Sequence, residues 1–198
     1  MQDKKRLYIV LTDTGTWLTK VIKSYTKEPF NHASLAFDKE LREVYSFGRK
    51  EQSTPLSGGF VRENMLGSLF LDEQRNTTCA VYEYEVGRAA YERIRQTVAA
   101  MRQRENEYRY NALGLLGVAL NTPVKRRNAY FCSQFVAAVF QTGGISLSGK
   151  CPELTTPGDL GRSSRATLIY TGTVRDYTPL RRRIADMPAC REAQPVSV

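Results

Sequence analysis

Residues 32–47 read HASLAFDKELREVYSF. Two alternating runs, 32–37 and 43–47, flank the polar stretch Asp38, Lys39 and Glu40. This pattern predicts a β-hairpin that turns at those three residues and stops at Gly48. A hairpin commits the chain to an antiparallel sheet, which needs further strands and a cover of helices. The β-branched run 7–12 (LYIVLT), the pair Phe60 and Val61, the run 80–86 (AVYEYEV) and the run 167–173 (TLIYTGT) are the strand candidates.

Helical spacing appears between these runs. Trp17, Leu18, Val21 and Ile22 follow a cap candidate at Thr14 or Thr16, in a segment that ends near Tyr25 and is broken by Pro29. Tyr91, Ile94, Val98 and Met101 mark a helix over 89–107. Phe135, Val136, Val139 and Phe140 mark another over 132–142, stopped by Gly143 and Gly144. The apolar stretch 108–120 (YRYNALGLLGVAL) reads as a helix or turn packed in the core, and 155–160 as a turn. From Pro179 the pattern fades, so a domain over 1–178 is expected, followed by a loosely ordered tail over 179–198. The order predicts an α+β fold, an antiparallel sheet with helices packed against it.

With 198 residues, 41% of them hydrophobic and 25% charged, the chain has the material for a single core. The net charge of +9 suits an anionic substrate or surface. Its densest clusters, Lys125-Arg126-Arg127 and Arg181-Arg182-Arg183, lack the interleaved aromatics of a nucleic-acid groove, so nucleic acid is not the expected partner. The four cysteines, Cys79, Cys132, Cys151 and Cys190, form no C-x-x-C pair and share the chain with a single histidine. No metal site or cofactor is expected from them. The N-terminus lacks an apolar signal region, and no apolar run approaches the ~20 residues of a membrane span. The expectation is a cytoplasmic protein with free thiols and no transmembrane segment.

A cysteine is nucleophilic as thiolate, and an ordinary thiol with a pKa near ~8.5 is mostly protonated at neutral pH. A helix N-terminus and a nearby imidazolium both lower that value. Cys132 opens a predicted helix, whose unpaired N–H groups can also hold an oxyanion. The single histidine, His32, opens a predicted strand, and the small Ser34 and Ala36 follow it on the same face. Cys132 is therefore the candidate nucleophile and His32 its base.

The segment 31–38 (NHASLAFD) resembles the histidine strand of the circularly permuted NlpC-type papain-like family, and 130–136 (YFCSQFV) resembles its cysteine helix. The segment 156–160 (TPGDL) is similar to the stretch that often follows, and the stretch 8–16 also matches, so the resemblance spans about 7–177. It implies a permuted papain-like fold, and a thiol hydrolase or acyltransferase acting on a peptide, amide or ester bond. The substrate class it implies is a small molecule, a peptide or a lipid acyl group. A protein that keeps this fold as a binding module is the alternative.

In that family a polar group on the neighbouring strand orients the histidine. The hairpin brings Ser46 or Glu43 near the required level. If Val44 packs inward, Ser46 is the inward polar group, although the family more often has a histidine, asparagine or acid there. Tyr8 and Tyr130 are candidates to donate a hydroxyl near the oxyanion or to serve as core aromatics. Gln134, in the first turn of the cysteine helix, either caps that helix or touches substrate.

Overall fold

The computed structural model describes residues 3–13, 28–49, 58–71 and 76–186. The helix expected after Thr14 and the chain beyond Asp186 lie outside them. The strands are β1 (Lys4–Asp13), β2 (His32–Ala36), β3 (Val44–Arg49), β4 (Gly58–Arg62), β5 (Thr78–Gly87), β6 (Arg109–Tyr110), β7 (Ala129–Tyr130) and β8 (Thr167–Thr173). The helices are α1 (Ser68–Leu71), α2 (Arg88–Gln103), α3 (Ala112–Ala119), α4 (Cys132–Thr142), α5 (Pro157–Gly161) and α6 (Thr178–Ala185). The protein is α+β: six strands form an antiparallel sheet in the order β4-β3-β2-β1-β5-β8.

Strand β1 lies inside the sheet, and its continuous apolar run marks it as covered on both faces. Leu7, Ile9 and Leu11 join Ala33, Leu35 and Phe47 against Ile94 and Val98 of α2 and Phe135 and Val139 of α4. On the other face Tyr8 and Val10 join Ala36, Val44 and Val81 beneath Phe70 of α1 and Leu180 of α6. A charged residue at any inward position of β1 would face a dry core on either side.

Three sequence expectations need correction. The helix predicted over 89–107 ends at Gln103, and Glu105–Glu107 form a separate 3₁₀ turn. The tail is ordered further than Pro179: α6 runs to Ala185 because Leu180 is fully buried and Arg183 donates to the carbonyl oxygens of Glu40 and Leu41. That arginine ties the tail to the β2–β3 turn, so part of the Arg181-Arg182-Arg183 cluster has a structural role.

The third correction concerns 108–120: Tyr108 lies in the core, but the helix that follows it does not bury its leucines. Helix α3 buries Gly114 and Gly117 and turns Leu113, Leu116 and Leu120 outward. The glycines permit a close approach that a side chain would block. A Cβ on Gly114 would come within 3.1 Å of the Phe131 ring, and one on Gly117 within 2.5 Å of the Thr122 carbonyl oxygen. The helix therefore packs through its smallest residues, and its leucines are left on the surface.

Candidate active site

Helix α4 begins at Cys132, and its start is fixed from several directions. Strands β6 and β7 pair in parallel, Tyr110 beside Tyr130, so the chain enters α4 from a fixed position. Asn111 spans the junction: its side chain donates to the Val124 carbonyl and to Gln134 Oε1, and accepts from the Gly114 N–H. Gln134 Oε1 also accepts the Phe131 N–H, so Gln134 is buried as a helix cap. Ser133 donates to the Thr155 carbonyl at 2.7 Å, anchoring α4 to the loop before α5. At the start of α5 Thr156 and Asp159 cap one another, which explains the polar pair in the 156–160 stretch.

The hairpin supplies the histidine. Strand β2 pairs with β3 only at Leu35–Tyr45 and Ala36–Val44, while β3 continues along β4 as far as Arg49–Gly58. The strands β2 and β3 part at the His32 end. Ala33 lies two residues beyond the last shared pair, and its N–H is among the groups that draw the Cys132 thiol pKa down. The sulfur lies 4.0 Å from the Asn31 carbonyl oxygen, and the His32 ring is close enough to interact with it electrostatically. The opening of the hairpin is thus what admits a helix end to the histidine.

Glu63 holds the other side of the ring. His32 Nε2 is 2.9 Å from Glu63 Oε1, and the two side chains are only 14% and 10% exposed. With Nε2 engaged there, Nδ1 is the nitrogen left to serve the thiol. Ser46 Oγ donates to the same Glu63 oxygen at 2.5 Å. Ser46 is fully buried on the His32 side of the sheet but does not itself orient the ring. Its predicted role passes to Glu63, and Ser46 positions that carboxylate. Glu43 is elsewhere, paired with Arg95.

Burial alone would push the His32 pKa down; its interactions with Cys132 and Glu63 and their negative charges outweigh that and raise it to about 10. Burial pushes the Cys132 thiol up, but the His32 imidazolium and the N–H groups of Ala33 and Ser133 draw it below the ordinary thiol value. Glu63, despite burial, is held below the usual carboxylate range by His32 and Ser46. The balance favours a thiolate–imidazolium pair braced by a carboxylate.

No family model, curated protein or solved structure matches this chain.

The remaining candidates divide by position. Tyr8 faces the opposite side of the sheet from α4, beside Glu83, where burial and that carboxylate push its hydroxyl up to about 12. It is a core residue: it pairs with Ala36, four residues along β2 from His32, and its side chain lies in the layer beneath α1 and α6. Tyr130 packs against Phe47 and Tyr108 in the aromatic core beneath the site. Gln134 caps α4 and does not reach outward as a substrate contact.

Two residues of the site were not found from sequence. Glu63 follows a strand of only five residues, and its place depends on the β3–β4 register, with Ser46 opposite Val61. Tyr110 was read as part of an apolar core segment. Burial, then the charge on Cys132, push its hydroxyl well above the ordinary phenol range. Gly58 permits this placement, since a Cβ there would come within 2.7 Å of the Tyr110 Cβ.

The role of Glu63 has a direct test. Glu63→Gln keeps the shape but removes the charge that holds the proton on His32. Turnover of an activated acyl ester is expected to fall by roughly 10²–10⁴-fold. The alkaline limb of the rate profile is expected to move to lower pH. Unchanged turnover and pH profile would leave Glu63 as a structural residue.

Proposed function

We propose that this protein is a cysteine hydrolase of permuted papain-like design that acts through an acyl-thioester on Cys132. The observation that carries the reading is the continuous chain Cys132–His32–Glu63–Ser46, assembled at a helix N-terminus from a helix, two strands and a loop. A buried histidine with a carboxylate on one nitrogen and a thiol on the other is the arrangement that nucleophilic acyl transfer requires.

The proposed steps follow from the protonation states. The Cys132 thiolate attacks the carbonyl carbon of an amide, peptide or ester, and the carbonyl oxygen takes the negative charge. N–H groups at the start of α4 are the donors assigned to it. As the tetrahedral intermediate collapses, the C–N or C–O bond breaks and His32 gives its proton to the leaving group. The neutral imidazole then takes a proton from water, whose oxygen attacks the thioester. Collapse releases the carboxylic acid and restores the ion pair. If an amine or alcohol takes the place of water, the same site acts as an acyltransferase.

The test uses a graded set of p-nitrophenyl esters and intact-protein mass spectrometry. The expected result is an acyl adduct on Cys132 that hydroxylamine removes, with release into water in the absence of an acceptor. The rate profile carries a second signature. The thiolate persists below the ordinary thiol pKa, so the acid limb lies below ~8.5. His32 keeps its proton up to about 10, so the alkaline limb lies near that value. Release that increases with added amine and yields the amide would assign transfer. Absence of any Cys132 adduct across the series would overturn the enzymatic reading in favour of a binding module.

A further inference from the structure

Helix α3 departs from the usual arrangement of a surface helix, which buries its apolar residues and exposes its polar ones. Leu113, Leu116 and Leu120 lie three and four residues apart, so they share one face, and they are 54%, 62% and 76% exposed. A contiguous exposed leucine face of this kind marks an interaction surface. Arg109 precedes the helix, and Lys125, Arg126 and Arg127 follow it; all four are exposed. From Tyr108 through Phe131 the sequence has no aspartate or glutamate at all. No helix among the described residues is long and apolar enough to cross a membrane.

We infer that α3 and the loop after it dock the protein on an anionic lipid surface, with the three leucines entering the acyl boundary and Arg109, Lys125, Arg126 and Arg127 meeting the headgroups. An apolar helix face rimmed by basic residues is the pattern of an in-plane membrane contact. The charge argues against the two other occupants. A second copy seated through a two-fold contact on this helix would bring like-charged loops together. A nucleic acid would match the basic loop but leave the leucines in water. The surface adjoins the site already described: α3 begins two residues after Tyr110, and Gly114 backs onto Phe131, which immediately precedes Cys132. Docking does not require the acyl chemistry, and it places the Cys132 site close to the membrane surface.

The test is co-sedimentation of the full chain with vesicles of phosphatidylcholine alone and of phosphatidylcholine mixed with phosphatidylglycerol, at low and high salt. Binding is expected to the mixed vesicles and to weaken as salt rises. The variant Leu113→Ser/Leu116→Ser/Leu120→Ser is expected to lose about tenfold or more in partitioning at every salt concentration. The variant Lys125→Glu/Arg126→Glu/Arg127→Glu is expected to lose binding to the mixed vesicles and with it the salt dependence. These residues lie on the surface, so an unchanged thermal midpoint verifies that each variant is folded. Absence of wild-type binding to the mixed vesicles, or equal binding by the leucine variant, overturns the inference. A wild-type dimer that the leucine variant converts to monomer, without vesicle binding, assigns the face to a second copy instead.

Discussion

Replacing His32 by alanine is expected to abolish measurable acyl turnover and to remove the reactivity of Cys132 at low pH. The imidazolium is the main group that lowers the thiol pKa against the opposing effect of burial. Without it, burial dominates and the thiol stays protonated well above neutral pH. Turnover should fall by on the order of 10³-fold or more, as for loss of any member of a nucleophile–base unit. Cys132→Ala should remove as much, because the two act together.

The labelling experiment separates activation from simple exposure. Wild type and His32→Ala are treated with a chloroacetamide probe across pH, and the modified residue is mapped by mass spectrometry. A lowered pKa increases the thiolate fraction but weakens each thiolate, with a Brønsted slope of about 0.4–0.5. The two effects nearly offset one another near neutrality, so the contrast grows toward acid. Near pH 5 the wild-type advantage is expected to be of order tenfold. The other described cysteines provide internal controls: burial pushes the Cys79 thiol up to about 12, while Cys151 is exposed. Equal labelling of Cys132 in the two proteins over the whole range would refute the activated pair.

The largest expected loss of stability comes from Phe47→Ala. Phe47 is fully buried in β3 and has ring contacts with Phe60, Tyr108, Tyr130 and Phe135. These rings link β3, β4, the segment before α3 and helix α4, the elements that carry the site. Removing the ring leaves a cavity that the interlocked aromatics cannot close, at a cost of about 3–5 kcal/mol. For a domain of this size that corresponds to a drop of roughly 6–20 °C in Tm. Urea denaturation provides the check, and a loss below about 1 kcal/mol would show that the cluster is not cooperative. A folded Phe47→Ala protein is also expected to turn over more slowly, because β3 carries Ser46, which braces Glu63.

The sequence by itself determined which residues were chemically available and most of the local structure. One histidine in 198 residues left only one partner for any cysteine, so His32 and Cys132 followed from composition and from their places at the start of a strand and a helix. The period-two run of the hairpin and the apolar stripe of α4 were legible because backbone geometry alone sets those spacings. The third member of the site was not legible. Ser46 was the inward polar residue by alternation, and it does point inward, yet Glu63 reaches the ring. Only the pairing of β4 with β3 brings an acid seventeen residues further along the chain to that position. Register between strands joined by a long connection depends on tertiary packing, which local pattern does not encode.

Helix α3 shows the same limit from the opposite direction. The apolar composition of 108–120 pointed to the core, because hydrophobic content reports how much surface prefers to leave water and not which face does so. Close packing settled the question: Phe131 and Val124 approach so closely that only Gly114 and Gly117 fit beneath them, and the leucines therefore face outward.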